Sequence, residues 1–123
     1  MDKPEEILEK IQKLIDLKPD YKFEAYSFVL AALHYTMMSL KSPRHISGGE
    51  FCDGLRRYAI DQFGPLARTV LEYWGIKKTV DFGKIVFALV DVGLMRKTEE
   101  DSLNDFTDIY DFETAFSNKM IFE

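Results

Sequence analysis

Arg44, His45, Ser47, Gly48 and Gly49 put a guanidinium, an imidazole, a hydroxyl and two unhindered amides just ahead of a helix. A helix N-terminus presents free N–H groups and the positive end of its macrodipole, so this grouping is suited to holding a small anion. Two glycines would let that anion approach the backbone closely. A simpler reading competes. Ser47-Gly-Gly-Glu50 has the S-x-x-E form of a capping box, in which hydroxyl and carboxylate satisfy opposite amides while the charges stay at the surface.

A second set lies further on, at Lys77, Lys78, Lys84, Phe87, Arg96 and Lys97. Bases beside one aromatic ring make a candidate face for nucleic acid or for a protein partner. The helix that would enter a major groove runs from Thr79 to Val92, and its outward positions are Asp81, Lys84, Ala88 and Asp91. Base-edge readout normally uses Arg, Lys, Asn or Gln, so two acids and one base favour protein over DNA. Phe87 falls off the inner stripe, as a second-layer core residue or as an exposed anchor.

Other chemistry-bearing residues are read as structural. Asp81-Phe-Gly83 has the letters of a kinase motif, yet no glycine-rich phosphate loop or catalytic loop accompanies it, and it reads as a helix start. A calcium loop counted from Asp101 fails, because Leu103 takes its third position and Phe106 replaces the glycine of its sixth. Cys52 has no base at a fixed spacing and reads as a small buried residue. His34 reads as a packed or half-buried structural histidine, since no partner recurs at ligand spacing. Without a nucleophile–base pair or a metal set, the expectation is a non-enzymatic protein with no cofactor and no metal.

The elements that would position these residues follow from periodicity and punctuation. Pro4, Glu5 and Glu6 suit a first helical turn, and Ile7, Leu8, Ile11, Leu14 and Ile15 form one stripe. The segment from Tyr21 to Leu40 is apolar almost all round, which predicts a central helix. Lys41 to His45 read as a linker, in which Pro43 forbids helix continuation. Phe51, Leu55, Tyr58 and Ala59 share a side of the next helix, with Asp53 and Arg57 paired opposite. Pro65 can open another helix, with Leu66, Val70, Tyr73 and Trp74 as its inner stripe and Gly75 as its stop.

After Gly75, Thr79 reads as an N-cap, and Phe82, Ile85, Val86, Leu89 and Val90 give the clearest stripe in the chain. Gly93 ends that helix, with Leu94 folding back. Leu94 to Thr98 then reads as a strand, Glu99 to Asp105 as a hairpin tip and Phe106 to Tyr110 as the return strand. Asp111 caps a last short helix through Phe116, and Met120 to Phe122 are too apolar for a free tail. The stretch from Ala67 to Lys97 therefore has the order of a winged helix-turn-helix. The expected fold is mainly α with a small β-hairpin, as one domain over 1–123. Residues 1–42 form an N-terminal helical pair packed on a winged-helix-like portion over 43–123.

Composition agrees with a packed soluble domain: 46% of residues are hydrophobic, and ten Phe, six Tyr and one Trp favour a core over long disordered stretches. Apolar runs fall far short of a membrane span. The N-terminus does not read as a signal peptide, and the one cysteine excludes an internal disulfide, so the reading is cytoplasmic. The net charge of −5 is uneven, with −7 in residues 99–123 and +2 in residues 1–98. An acidic tail repels phosphate backbones, which counts against simple nucleic-acid binding.

RHISGGE at Arg44 to Glu50, QFGPLA at Gln62 to Ala67, WGI at Trp74 to Ile76, T-x-DFG-x-IVF at Thr79 to Phe87, VGL at Val92 to Leu94 and YDF-x-x-AF at Tyr110 to Phe116 form a distinctive combination. Together they resemble a family of small uncharacterised bacterial proteins of planctomycete and verrucomicrobial type. The resemblance covers the last two-thirds of the chain, with AYSFV at Ala25 to Val29 extending it upstream. It implies no substrate, cofactor or catalytic residue. The functional expectation is a protein-interaction module that binds a partner or itself on a winged-helix-like scaffold. The alternatives are a DNA-binding regulator and small-anion binding at Arg44 to Gly49.

Overall fold

The structure, a computed structural model, describes residues 3–117. Its elements are α1 (Pro4–Leu17), α2 (Phe23–Met38), α3 (Gly48–Phe63), a 3₁₀ turn (Gly64–Leu66), α4 (Ala67–Tyr73), α5 (Thr79–Asp91), a second 3₁₀ turn (Leu103–Phe106) and α6 (Phe112–Ala115). Among the described residues there is no strand, so the expected hairpin and winged-helix portion are absent. No helix among them is long and apolar enough to cross a membrane.

Local signals place most helices where they were expected. Pro4 is the first residue of α1, and Ile11 and Leu14 are buried. The capping box at the start of α3 forms: Glu50 N–H donates to Ser47 Oγ at 3.1 Å, and Ser47 N–H donates to Glu50 Oε1 at 3.0 Å. Asp53 and Arg57 pair one turn apart at 3.1 Å. Gly75 and Gly93 both take positive φ, 97° and 81°, and the amides after them fold back to Leu71 O and Leu89 O at 2.9 Å. Asp111 caps α6 by accepting from Thr114 N–H at 2.9 Å. Met120 to Phe122 lie outside the described residues.

The centre of the fold is α2, which packs on α1, α3 and α5. Its closest neighbour is α3. A Cβ built on Gly54 would stand 2.0 Å from Thr36 Oγ1, so the two helices touch at a point where only a hydrogen fits. Thr36 is buried there and turns its hydroxyl back to Ala32 O at 2.8 Å. Beyond the contact, Phe28 meets Tyr58, Phe63 and Trp74 with ring centroids 5.2 to 6.0 Å apart, joining α2, α3 and α4 through aromatic faces. The loop before α2 is anchored on the turn before α5. Tyr21 Oη donates to Asp81 Oδ1 at 2.5 Å, and Lys22 N–H donates to Trp74 O at 3.1 Å. Burial, with the Asp81 carboxylate, pushes the Tyr21 hydroxyl well above its usual range.

Residues 94–110 form a strap across α3 and α5, and the reasons it is not a hairpin are specific. Thr79 is not the N-cap of α5. It lies just inside the helix, donating its hydroxyl to Phe106 O at 2.6 Å and accepting from Ile109 N–H at 3.2 Å. Those two backbone groups, which a return strand would offer to a ladder, are held by a helix side chain instead. Asp101 accepts from Thr98 N–H at 2.8 Å and Asp105 from Ser102 N–H at 2.9 Å, closing local turns that compete with strand pairing. Asp108 has φ 52°, which interrupts the extended backbone the alternation of Phe106, Asp108 and Tyr110 required. Phe106 sits against Gly83, where a Cβ would come within 2.8 Å of its ring. Farther along, Tyr110 Oη donates to Cys52 O at 2.7 Å and Arg56 Nε donates to Ala115 O at 3.0 Å, fastening the end of the described chain to α3.

Two smaller expectations are also corrected. His34 is exposed, because the face of α2 that carries it looks outward past α3. In α4 the buried residues are Ala67 and Leu71, while Leu66 and Tyr73 are 62% and 70% exposed. Pro65 opens a 3₁₀ turn ahead of α4, and that extra turn rotates the stripe.

Candidate functional site

The strap, the start of α3 and the middle of α5 enclose a pocket of about 360 Å³ that opens to solvent on one side. Leu33 and Met37 of α2, Phe51 of α3, Val86 and Phe87 of α5, and Leu94, Met95 and Phe106 of the strap make it apolar inside. Arg44, His45, Arg96, Lys97, Asp101 and Asp105 stand around it. Phe87 is half-buried in the wall, edge-on to Phe106 with centroids 6.4 Å apart, and Lys97 Nζ lies 5.9 Å above its ring.

Two groups far apart in sequence therefore share one site. Arg44, His45, Ser47 and Gly48 form one wall, while Phe87, Arg96 and Lys97 form the other. Gly49 lines a neighbouring recess with Glu50, Asp53 and Arg57 and does not line this pocket. Lys77, Lys78 and Lys84 do not line the pocket. The amides of Lys77 and Lys78 donate to Asp81 Oδ2 at 2.9 and 3.0 Å, so this pair frames the start of α5. Lys84 is exposed on α5, but Phe82, Gly83, Ile85, Val86 and Leu89 around it are buried. Of the outward positions on this helix, Lys84 and Asp91 are exposed while Asp81 and Ala88 are half-buried, and no strand among the described residues supplies the wing that the winged-helix reading placed beside them.

Most of the rim is already paired within the chain. The Arg44 guanidinium donates to both Glu50 oxygens, at 3.1 and 2.7 Å. The Glu50 carboxyl is drawn from its ordinary 4.5 down to about 2, first by Arg44 and then by the Ser47 amide. An internal carboxylate thus occupies the place that the anion reading reserved for a ligand. His45 Nε2 lies 3.1 Å from Asp101 Oδ1 and ties the strap to the start of α3. Burial raises the Asp101 carboxyl, but the Thr98 amide and His45 outweigh it and leave the group below its usual range. Asp111 is held low chiefly by the Thr114 amide.

Glu50 gives a pH prediction. Its folded value lies below its ordinary one, so its stabilisation is complete above pH 4.5 and is lost as pH falls towards about 2. Asp101 and Asp111 act with the same sign. The thermal midpoint followed by circular dichroism should fall across that window. Glu50→Gln should make the fall shallower; an equal slope in wild type and E50Q would contradict the role given to the carboxylate.

Burial pushes the Cys52 thiol up to about 12, which keeps it protonated at neutral pH. The Ser47 hydroxyl is committed to the cap. Among the described residues no three His, Cys, Asp or Glu side chains converge as metal ligands. Sequence reasoning missed the apolar interior and the part of Asp101 and Asp105. One signal pointed to it: a glycine at position 83 inside an otherwise strongly apolar helix marks a close approach, here by Phe106. Comparison with protein-family models, curated proteins and solved structures gave no match.

Proposed function

We propose that the chain is a non-enzymatic protein-interaction module that receives an apolar side chain of a partner in the pocket between α2, α3, α5 and the strap. The observation that carries this reading is an open, apolar cavity of about 360 Å³. That volume lies at the small end of ligand pockets and suits one or two side chains better than a whole cofactor. Interface energies concentrate in such anchors seated in desolvated pockets. Arg44–Glu50 and His45–Asp101 hold the rim without a ligand, so little ordering remains to be done on binding.

Met37→Trp tests the reading by filling the cavity from a half-buried position in its wall. Short capped peptides carrying one Phe, Leu or Trp should shift the amide resonances of Gly48, Phe87 and Leu94, and M37W should weaken that response about tenfold. No shift at these amides with any peptide would overturn the reading.

Lys77, Lys78 and Lys84 support a second reading, duplex DNA binding, because they are exposed and do not line the pocket. Phosphate contacts by these residues would give binding that weakens steeply with salt. Absence of binding at low salt, with and without neutralisation of Glu99, Glu100 and Asp101, would remove it.

A further inference from the structure

We propose, resting on the pocket reading above, that the partner segment is acidic: an aromatic or aliphatic anchor with carboxylates directly beside it. The rim residues are not equivalent. Arg44 is neutralised by Glu50, and His45 and Asp101 face one another. Asp105 is engaged by the Ser102 amide. Arg96 has no ion pair or hydrogen bond among the described residues, and Lys97 makes only a long contact with Thr98 O besides its approach to Phe87. Asp101 and Asp105 stay anionic but are turned to the Thr98 and Ser102 amides of the strap itself, so the charged side chains at the mouth without such a partner are the cations Arg96 and Lys97.

Their placement matters as much as their sign. Arg96 and Lys97 follow Leu94 and Met95, which enter the pocket wall, so the cations stand where the anchor's neighbours would emerge into solvent. A guanidinium grips a carboxylate with two parallel N–H groups, while the Lys97 ammonium beside the Phe87 ring fixes a point of positive charge. The apolar interior supplies burial and the two cations supply preference between otherwise similar anchors. A basic segment would set like charges against Arg96 and Lys97.

The test uses three capped peptides of equal length, each with one Phe flanked on both sides by Glu, Ser or Lys, titrated into the full chain. The Glu peptide should bind at the pocket amides about fivefold tighter than the Ser peptide, with the Lys peptide weakest, as exposed charge pairs allow. The charge-reversed variant R96E/K97E should invert that order. Both side chains are exposed, so its fold is checked by unchanged amide resonances elsewhere. Equal affinities, or the same order in the reversed variant, would overturn the acidic preference while leaving the pocket reading standing. No pocket shift with any peptide would overturn both. 3-Phenylpropanoate binding as tightly as the Glu peptide would overturn the peptide assignment in favour of a small carboxylate. Self-association in sedimentation that R96E/K97E abolishes would overturn it in favour of a second copy of this chain.

Discussion

Gly54→Ala is expected to destabilise the fold by about 3 kcal/mol, the upper part of the range for overpacking a core. Alanine normally improves a helix interior by up to ~1 kcal/mol over glycine, so local propensity alone predicts the opposite sign. Packing decides the outcome. The added Cβ would lie 2.0 Å from Thr36 Oγ1 and 2.9 Å from Thr36 Cβ and Cγ2, deep between α2 and α3. Both residues sit on helix backbone in the most extensive contact of the fold, and neither can yield without separating the helices. Thr36→Ala removes two of the three clashing atoms, so T36A/G54A should recover at least about 1 kcal/mol relative to the sum of the single changes. Urea titration of the four proteins in the cycle measures this. Wild-type stability in G54A would mean that the helices do not meet at this point.

Thr79→Val should cost about 2 kcal/mol, although the two side chains have nearly the same shape. Thr79 is 1% exposed, and its hydroxyl serves both Phe106 O and Ile109 N–H. Valine leaves the Phe106 carbonyl without a partner in a buried place and the Ile109 amide without one in a part-buried place, and together these cost more than one average hydrogen bond is worth. The damage should be local as well. The Ile109 amide should exchange with solvent faster in T79V, by a larger factor than amides of α2, because the strap loses the contact that holds it to α5. Thr79→Ser keeps the oxygen and should stay close to wild type in exchange. Unchanged exchange at Ile109 in T79V would contradict the strap arrangement.

These two sites also show what could be read in the sequence and what could not. The helix starts and stops were legible because each depends on neighbours in the chain: Ser47 with Glu50, Gly75 after α4, Gly93 after α5, Asp111 before α6. The strap was misread because its alternation of Phe106, Asp108 and Tyr110 satisfies a strand template locally. Partners remote in sequence decide otherwise. Thr79 takes the backbone at Phe106 and Ile109, Cys52 O receives the Tyr110 hydroxyl, and Gly83 makes room for the Phe106 ring.

The candidate site was half legible for the same reason. Arg44 to Gly49 and Phe87 to Lys97 stood out by residue type, but nothing in their spacing joins them. Only the packing of α2, α3 and α5 sets the two groups across one cavity, and only the strap closes it. The helix start was read for its free amides and its cation, and Glu50 had already been assigned to the cap. That one carboxylate serves both the cap and Arg44, leaving Arg96 and Lys97 as the uncommitted charges at the mouth.

The most direct measurement is an isotope-filtered NOE experiment on the full chain with the Glu-flanked Phe peptide. Contacts are expected from the peptide's ring protons to the methyl groups of Leu33, Met37, Val86 and Leu94, all of which line the pocket. Ring contacts confined to exposed apolar groups elsewhere, such as Leu66 or Met38, would contradict it.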